Sequence, residues 1–209
     1  MPRTQEGLAR LIDRERLRDT RIVDAFRRVD RAEFVPERLR SEAYRDRPVG
    51  LPEQQTTSQP SLIARMIDAA APATTDKVLE IGTGYGFQTA LLASLARHVT
   101  SIERHASLAA AARRNLEAAG FRKVDVIVGD GWAGHAAGAP YDAIVVSAAA
   151  DEVPASLAAQ LADGGRMVIP VREGGGDNVY LFEKRGADLA RRALITPARF
   201  VPLVRSRDA

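Results

Sequence analysis

The spacing of apolar positions along this chain changes near residue 77. Before that point it is helical. In RIVDAFRRV, Ile22, Val23, Phe26 and Val29 fall on one face of a helix. Pro36 then opens a short helix through ERLRSEAY, and residues 51–60 read as loop. Helix signals return at Ser58, whose hydroxyl is placed to cap a helix that tolerates Pro60 in its first turn. Leu62, Ile63, Met66, Ile67 and Ala70 make the buried stripe, and Pro72 ends it.

From Lys77 onward short apolar strands alternate with helices. KVLEIG, HVTSIE, VDVIVGD, YDAIVVS and RMVIPV read as strands. FQTALLASLAR, SLAAAARRNLEAAG (stopped by Gly120) and PASLAAQLADGG read as the helices between them. Such alternation predicts a doubly wound, mostly parallel sheet covered on both faces. After the GGGD turn, NVYLFEKR alternates as an antiparallel strand does, and ARFVPLV is expected to form the last strand. The expected fold class is α/β, a single domain over 1–209. A helical cap and loop occupy 1–76, and the α/β core with its antiparallel finish occupies 77–209.

Composition changes this picture little. The 209 residues are 45% hydrophobic and 27% charged, ordinary values for one globular domain. No apolar run approaches the ~18 residues of a membrane span, so no membrane partner is expected. The opening MPRTQEGLARLIDRERLRD has no apolar signal core. There is no Cys, which removes disulfides, thiolate catalysis and Cys-type zinc sites. A cytoplasmic enzyme fits these features. The net charge of +3 is carried almost wholly by scattered Arg interleaved with Asp and Glu. That is a solvated surface rather than a nucleic-acid arm, so no nucleic-acid partner is expected.

The loop after the first core strand is EIGTGYG, with Glu80, Gly82, Gly84 and Gly86. A glycine-rich turn from strand to helix is where an open α/β sheet binds nucleotides, although a tight turn alone would also need glycine. The dinucleotide fingerprint reads G-x-G-x-x-G; here the third glycine comes one residue early. Two more acids end the next strands. Glu103, in SIER, is placed to accept from both ribose hydroxyls. Asp130, in VGDGW, is placed to accept from an adenine amine, with Gly131 letting the base lie close. Acids at three successive strand ends favour a nucleoside ligand. The spacing and the acid before the first glycine favour S-adenosyl-L-methionine over NAD. Thr83 in the loop and Arg104 beside Glu103 are counted with these contacts.

Other chemistries lack their motifs. No G-x-S-x-G elbow and no P-loop is present. His98, His105 and His135 show no metal-ligand spacing, so no metal is expected. The fourth core strand ends in VVSAAAD, where methyltransferases acting on base amino groups carry an acid or Asn, prolines and an aromatic; Ser147 and three alanines stand here.

Ordered pieces along almost the whole chain resemble the protein-L-isoaspartate (D-aspartate) O-methyltransferase family, a group of Rossmann-like enzymes. They are RVDRAEFVPERLRSEAYRDRPVG at 28–50, QTTSQPSLIARM at 55–66, VLEIGTGYGFQTALLA at 78–93, SIER at 101–104, GDG at 129–131, APYDAIVVSAAADEVPASLAAQLADGGRMVIPV at 139–171 and RFVPLV at 199–204. The resemblance implies an S-adenosyl-L-methionine-dependent carboxyl O-methyltransferase, with S-adenosyl-L-homocysteine as product. The implied substrates are peptides and proteins carrying L-isoaspartate. Methylation of the free α-carboxylate lets a succinimide close, and hydrolysis returns part of it to Asp. The resemblance makes 55–58 an active-site loop, with Ser58 in the catalytic serine position and Gln55, Thr56 and Thr57 beside the methyl donor. It makes Phe200, Val201, Pro202 and Leu203 part of the substrate wall; a buried last strand is the other reading of that segment. The enzyme is expected to act as a monomer.

Departures from the family pattern are Gln54 and a longer LPEQ segment, Tyr85 between the glycines, Arg172 after the fifth core strand, and Asn178. They leave open a related carboxyl methyltransferase turned to one dedicated partner. A cofactor-binding protein that recognises RNA without methylating it, and a small-molecule O-methyltransferase, are the alternatives from other classes.

Overall fold

The computed structural model describes residues 2–205; Met1 and the last four residues of the expected 1–209 domain lie outside that range. Three helices come first, α1 (Gln5–Asp13), α2 (Arg21–Arg28) and α3 (Pro60–Ala70). Between α2 and α3 the chain makes two 3-10 turns, the second at Glu37–Glu42 where an α-helix was expected, and a small hairpin of β1 (Val49–Gly50) and β2 (Thr56–Thr57). The core follows as β3 (Lys77–Ile81), α4 (Phe87–Ala93), β4 (His98–Glu103), α5 (Ala106–Ala118), β5 (Val124–Val128), β6 (Tyr141–Val146), α6 (Ala155–Gln160), β7 (Leu161–Glu173), β8 (Gly176–Arg185) and β9 (Asp188–Ala198).

The core strands form one seven-stranded sheet in the order β5-β4-β3-β6-β7-β8-β9. β5 through β7 run parallel, and β8 and β9 are antiparallel. The strand order reverses between β3 and β6. That switch point opens a crevice at the carboxyl ends of the strands.

The expected doubly wound sheet with an antiparallel finish is present. Two boundaries differ. The helix read from PASLAAQLADGG stops at Gln160, and β7 begins at Leu161. The last strand is β9 at Asp188–Ala198, not ARFVPLV. β9 is an edge strand, exposed along most of its length, so its residues show no clean alternation. Residues 199–204 instead cross the strand ends. Ala149 N donates to Val201 O at 2.8 Å, and Leu203 N donates to Ala149 O at 2.7 Å.

Two apolar clusters cover the two faces of the sheet. On one, Ile12, Ile22, Phe26, Ile63, Met66 and Leu91 join α1–α4 to the strands. On the other, Leu79, Ile144, Leu157, Met167 and Ile169 pack beneath α6. Phe87 is an aromatic joint between cap and core, with Phe26 at 5.7 Å edge-on and Phe34 at 6.1 Å between ring centroids.

One polar side chain is buried in this joint. Arg31 has 0% relative exposure, and its guanidinium lies 5.6 Å from the Phe87 ring centroid. It donates to the carbonyls of Ala43 at 2.9 Å, Arg45 at 3.0 Å, Arg47 at 3.2 Å and Ser58 at 3.0 Å. Burial lowers its pKa to about 10, with the charge of Asp46 opposing the shift, so it stays charged at neutral pH. Arg31→Ala leaves those carbonyls without their donor, and a loss of about 2 kcal/mol or more is expected by urea denaturation. A loss under ~0.5 kcal/mol would mean that water replaces the guanidinium without penalty.

Candidate active site

The glycine loop leaves β3 at the switch point. Gly82 has φ +95°, and an added Cβ there would also approach the Ser147 Cβ to 3.3 Å. The loop thus needs glycine on both conformational and spatial grounds. At Gly131 an added Cβ would lie 2.4 Å from Ile81 Cγ2, so the chain after β5 passes close beneath the same crevice.

Glu80 lies below the loop and does not line the crevice. It is fully buried and accepts from Gln88 Nε2 at 2.9 Å, Thr89 Oγ1 at 2.5 Å and Ser101 Oγ at 2.6 Å. Thr83 Oγ1 and Ser101 Oγ are 2.6 Å apart, which ties the loop into the same cluster. Burial pushes the Glu80 carboxyl up to about 7, against the three donors that favour the anion.

Glu103 is different: it lines the crevice while 5% exposed. One carboxylate oxygen accepts from Gly84 N at 2.8 Å and the other from His105 N at 3.0 Å. Each oxygen keeps a further lone pair for a ligand hydroxyl. Asp130 does not line the crevice, although Gly131 does; one Asp130 oxygen accepts from Trp132 N at 2.9 Å. The crevice therefore offers backbone-close glycines, an apolar wall at Ile81 and Ile102, and a carboxylate, which suits an adenosine ribose. Gly82, Gly84, Glu103 and Gly131 would hold S-adenosyl-L-methionine there, with Thr83 and Arg104 also on the lining.

The 55–58 loop forms the opposite side. Gln55, Thr56, Thr57 and Ser58 all line the crevice, as do Val201, Pro202 and Leu203 from the tail. Phe200 does not. It lines a second groove with Arg65, Leu62 and Arg199, and its N–H donates to Asp177 Oδ2 at 2.8 Å. Thr56, Ser58, Ser147 and Val201 border both cavities and so mark a neck between them.

Ser58 is not the cap of α3. The N-cap residue is Gln59, and Pro60 takes the first helical position. Asp46, far back in the chain, supplies the cap: its Oδ1 accepts from Ser61 N at 2.9 Å, and its Oδ2 from Gln59 Nε2 at 2.9 Å. Because Asp46 does that work, the Ser58 side chain is left at the neck.

The sequence pattern of the protein-L-isoaspartate (D-aspartate) O-methyltransferase family matches residues 3–208. The chain belongs to this family. Among its relatives, a protein-L-isoaspartate O-methyltransferase of Koribacter versatilis is 48% identical over 200 residues, covering 94% of this chain and 90% of its own. One of Pseudomonas paraeruginosa is 45% identical over 206 residues, 97% and 96% of the two chains. A solved protein-L-isoaspartate O-methyltransferase superposes with TM-score 0.85 at 30% identity, over 95% of this chain and 65% of that longer one. A Plasmodium falciparum structure, described as a β-aspartate methyltransferase in complex with S-adenosyl-L-homocysteine, shares the fold with TM-score 0.82 at 22% identity, over 97% and 99% of the chains.

Of the departures from the family pattern, Tyr85 lines the crevice, while Arg172 lies outside both cavities. Arg172 is held by Asp151 at 3.1 Å and Asp177 at 3.6 Å. Gln54, like Glu53, sits at φ +57° in the turn of the β1–β2 hairpin. Sequence reasoning passed over Phe34 and Gln88, both on the lining. Gln88 could have been found as a polar residue on the buried side of α4, in the first helical turn after the glycines.

Glu80 generates a pH prediction. Its folded pKa lies above the unfolded value of 4.5, so the native state favours the neutral acid. The associated stability is complete below about pH 4.5 and is lost as pH rises through about 7, by up to ~3 kcal/mol. Glu80→Gln should flatten this part of the profile, measured by urea midpoints at about pH 5 and 7. An unchanged pH 5-to-7 difference in the variant would assign the dependence to another group.

Proposed function

We propose that this protein methylates the free α-carboxylate of L-isoaspartyl residues in peptides and proteins, as an S-adenosyl-L-methionine-dependent repair enzyme. The observation that carries the reading is the neck, where Ser58 borders both the nucleoside-type crevice and the second groove. S-adenosyl-L-methionine, when bound, supplies an electrophilic methyl to a carboxylate oxygen.

The work of the chain is then placement. A carboxylate is already ionised at neutral pH, so the acceptor needs no general base. The neck accordingly supplies neutral hydroxyl donors. Ser58 holds one carboxylate oxygen and leaves the other free. Thr56, Thr57 and Gln55 wall the donor side, and Val201, Pro202 and Leu203 exclude water from the tail side. Alignment of two bound reactants supplies up to ~7–11 kcal/mol of the barrier. In this reading residues 1–76 form the helical cap and active-site loop, and 77–209 the cofactor-binding core with the substrate wall at its C-terminal end. Phe200 and the second groove receive peptide flanking the isoaspartate. The protein acts in the cytoplasm as a monomer; no helix among the described residues is long and apolar enough to cross a membrane.

A matched peptide pair tests the reading, one with isoaspartate and one with Asp at the same position. Labelled methyl from S-adenosyl-L-methionine should pass to the isoaspartyl peptide alone. Equal or absent transfer on both, with cofactor binding intact, would turn the search to a dedicated partner. Ser58→Ala should lower kcat/KM by about tenfold to a hundredfold, the worth of a hydrogen bond to a charged group. It should leave the melting temperature nearly unchanged, since Asp46 caps the helix.

A further inference from the structure

We propose that Ser147 is a second hydroxyl donor to the substrate carboxylate, facing Ser58 across the neck. The inference rests on the functional reading above and extends it to a residue outside the 55–58 loop.

Ser147 follows β6 directly, and its N–H donates to Ile81 O at 2.8 Å, which locks the strand end against β3. Its Oγ is 2.9 Å from Gln88 Nε2. The same Nε2 is 2.9 Å from Glu80 Oε1. An amide nitrogen carries two protons and no acceptor. Gln88 therefore gives one proton to Glu80 and the other to Ser147. Oε1 of Glu80 accepts the Gln88 proton in the ionised carboxylate, and equally in the neutral acid with its own proton on Oε2.

This fixes the role of the Ser147 oxygen. It accepts from Gln88, so its own proton must point elsewhere. Ser147 is half-buried, and it borders the glycine-loop crevice and the second groove together with Thr56, Ser58 and Val201. Its proton is thus directed toward a ligand at the neck. An anionic oxygen is the strongest acceptor that a hydroxyl proton can meet there. A sulfonium methyl carries positive charge and offers no lone pair to it. Two hydroxyls, Ser58 just after β2 and Ser147 just after β6, would take one carboxylate oxygen and present the other.

The test uses the full chain and the isoaspartyl peptide. Ser147→Ala should reduce kcat/KM for the peptide by at least about tenfold, while S-adenosyl-L-homocysteine affinity by calorimetry changes by less than about twofold. Ser147→Thr, which keeps both the acceptor and the proton, should restore most of the activity. Peptide turnover within about twofold of wild type in Ser147→Ala would overturn the proposal. So would a matching loss of S-adenosyl-L-homocysteine affinity, which would place the hydroxyl on the cofactor, or a failure of Thr to rescue a folded protein. Wild-type protein inactive on the isoaspartyl peptide would remove the functional reading and this proposal with it. An active wild type with an unaffected Ser147→Ala removes this proposal alone.

Discussion

The site depends on a carboxyl group kept out of water. Glu80 sits inside the sheet at 0% exposure, and the three groups that reach it come from two elements. Gln88 and Thr89 descend from α4, and Ser101 comes from β4. A buried carboxyl is tolerated only when its oxygens are satisfied. The position of α4 against β3 and β4 is therefore set by hydrogen-bond lengths as well as by apolar packing. The glycine loop joins β3 to α4, so its path is constrained at both ends. The same demand orients Gln88, and Gln88 in turn orients Ser147. A residue that touches no ligand thus determines where a hydroxyl proton points about two side chains away.

The cap side is organised by a charge of the opposite sign. Arg31 gathers carbonyls from 43, 45, 47 and 58 onto one guanidinium, beneath the aromatic joint at Phe87. These carbonyls belong to a stretch with little regular structure of its own, and such backbone needs partners when it is covered. Asp46, in the same stretch, reaches forward to cap α3. Arg31 and Asp46 together hold the Ser58 segment by its backbone and its neighbours. The Ser58 hydroxyl is left uncommitted to helix capping. A loop held in this way avoids the entropy of ordering it when a ligand arrives.

Much of this was legible in the sequence because it rests on local signals. The change from helical to strand-helix spacing near Lys77 reports the sheet, and the short apolar strands report burial on both faces. The glycine loop and Glu103 are legible because backbone-close approach and a strand-end acid leave residue-type traces. The errors lie where partners are distant in sequence. Ser58 read as a cap because its own spacing allows it, whereas the cap that forms comes from Asp46, fifteen residues before Ser61. Glu80 read as a ligand contact because acids near glycine loops often are; only the fold shows that Gln88, Thr89 and Ser101 converge on it. β9 escaped because an exposed edge strand has no buried face to impose alternation, and ARFVPLV drew attention because its apolar residues face a cleft rather than a sheet.

The chemistry explains why such a fold carries no titrating catalyst at the neck. A carboxylate acceptor and a methyl donor of opposite charge attract each other but are each well solvated in water, and the hydration shells must be removed before they meet in line. A base would add nothing to an acceptor that is already an anion. Neutral hydroxyls suit the task better than a cation. An Arg at the neck would bind the carboxylate tightly in both ground and transition states, and uniform binding does not raise the rate of the chemical step. A hydroxyl whose lone pair is already occupied, as at Ser147, is polarised into a better and more directional donor, yet one without charge. In the proposed arrangement it would hold one oxygen in place without suppressing the nucleophilicity of the other. The charged residues on the second groove are Arg65 and Arg199. In the proposed reading they would meet flanking peptide rather than the reacting carboxylate, which would separate the attraction of substrate from the transfer itself.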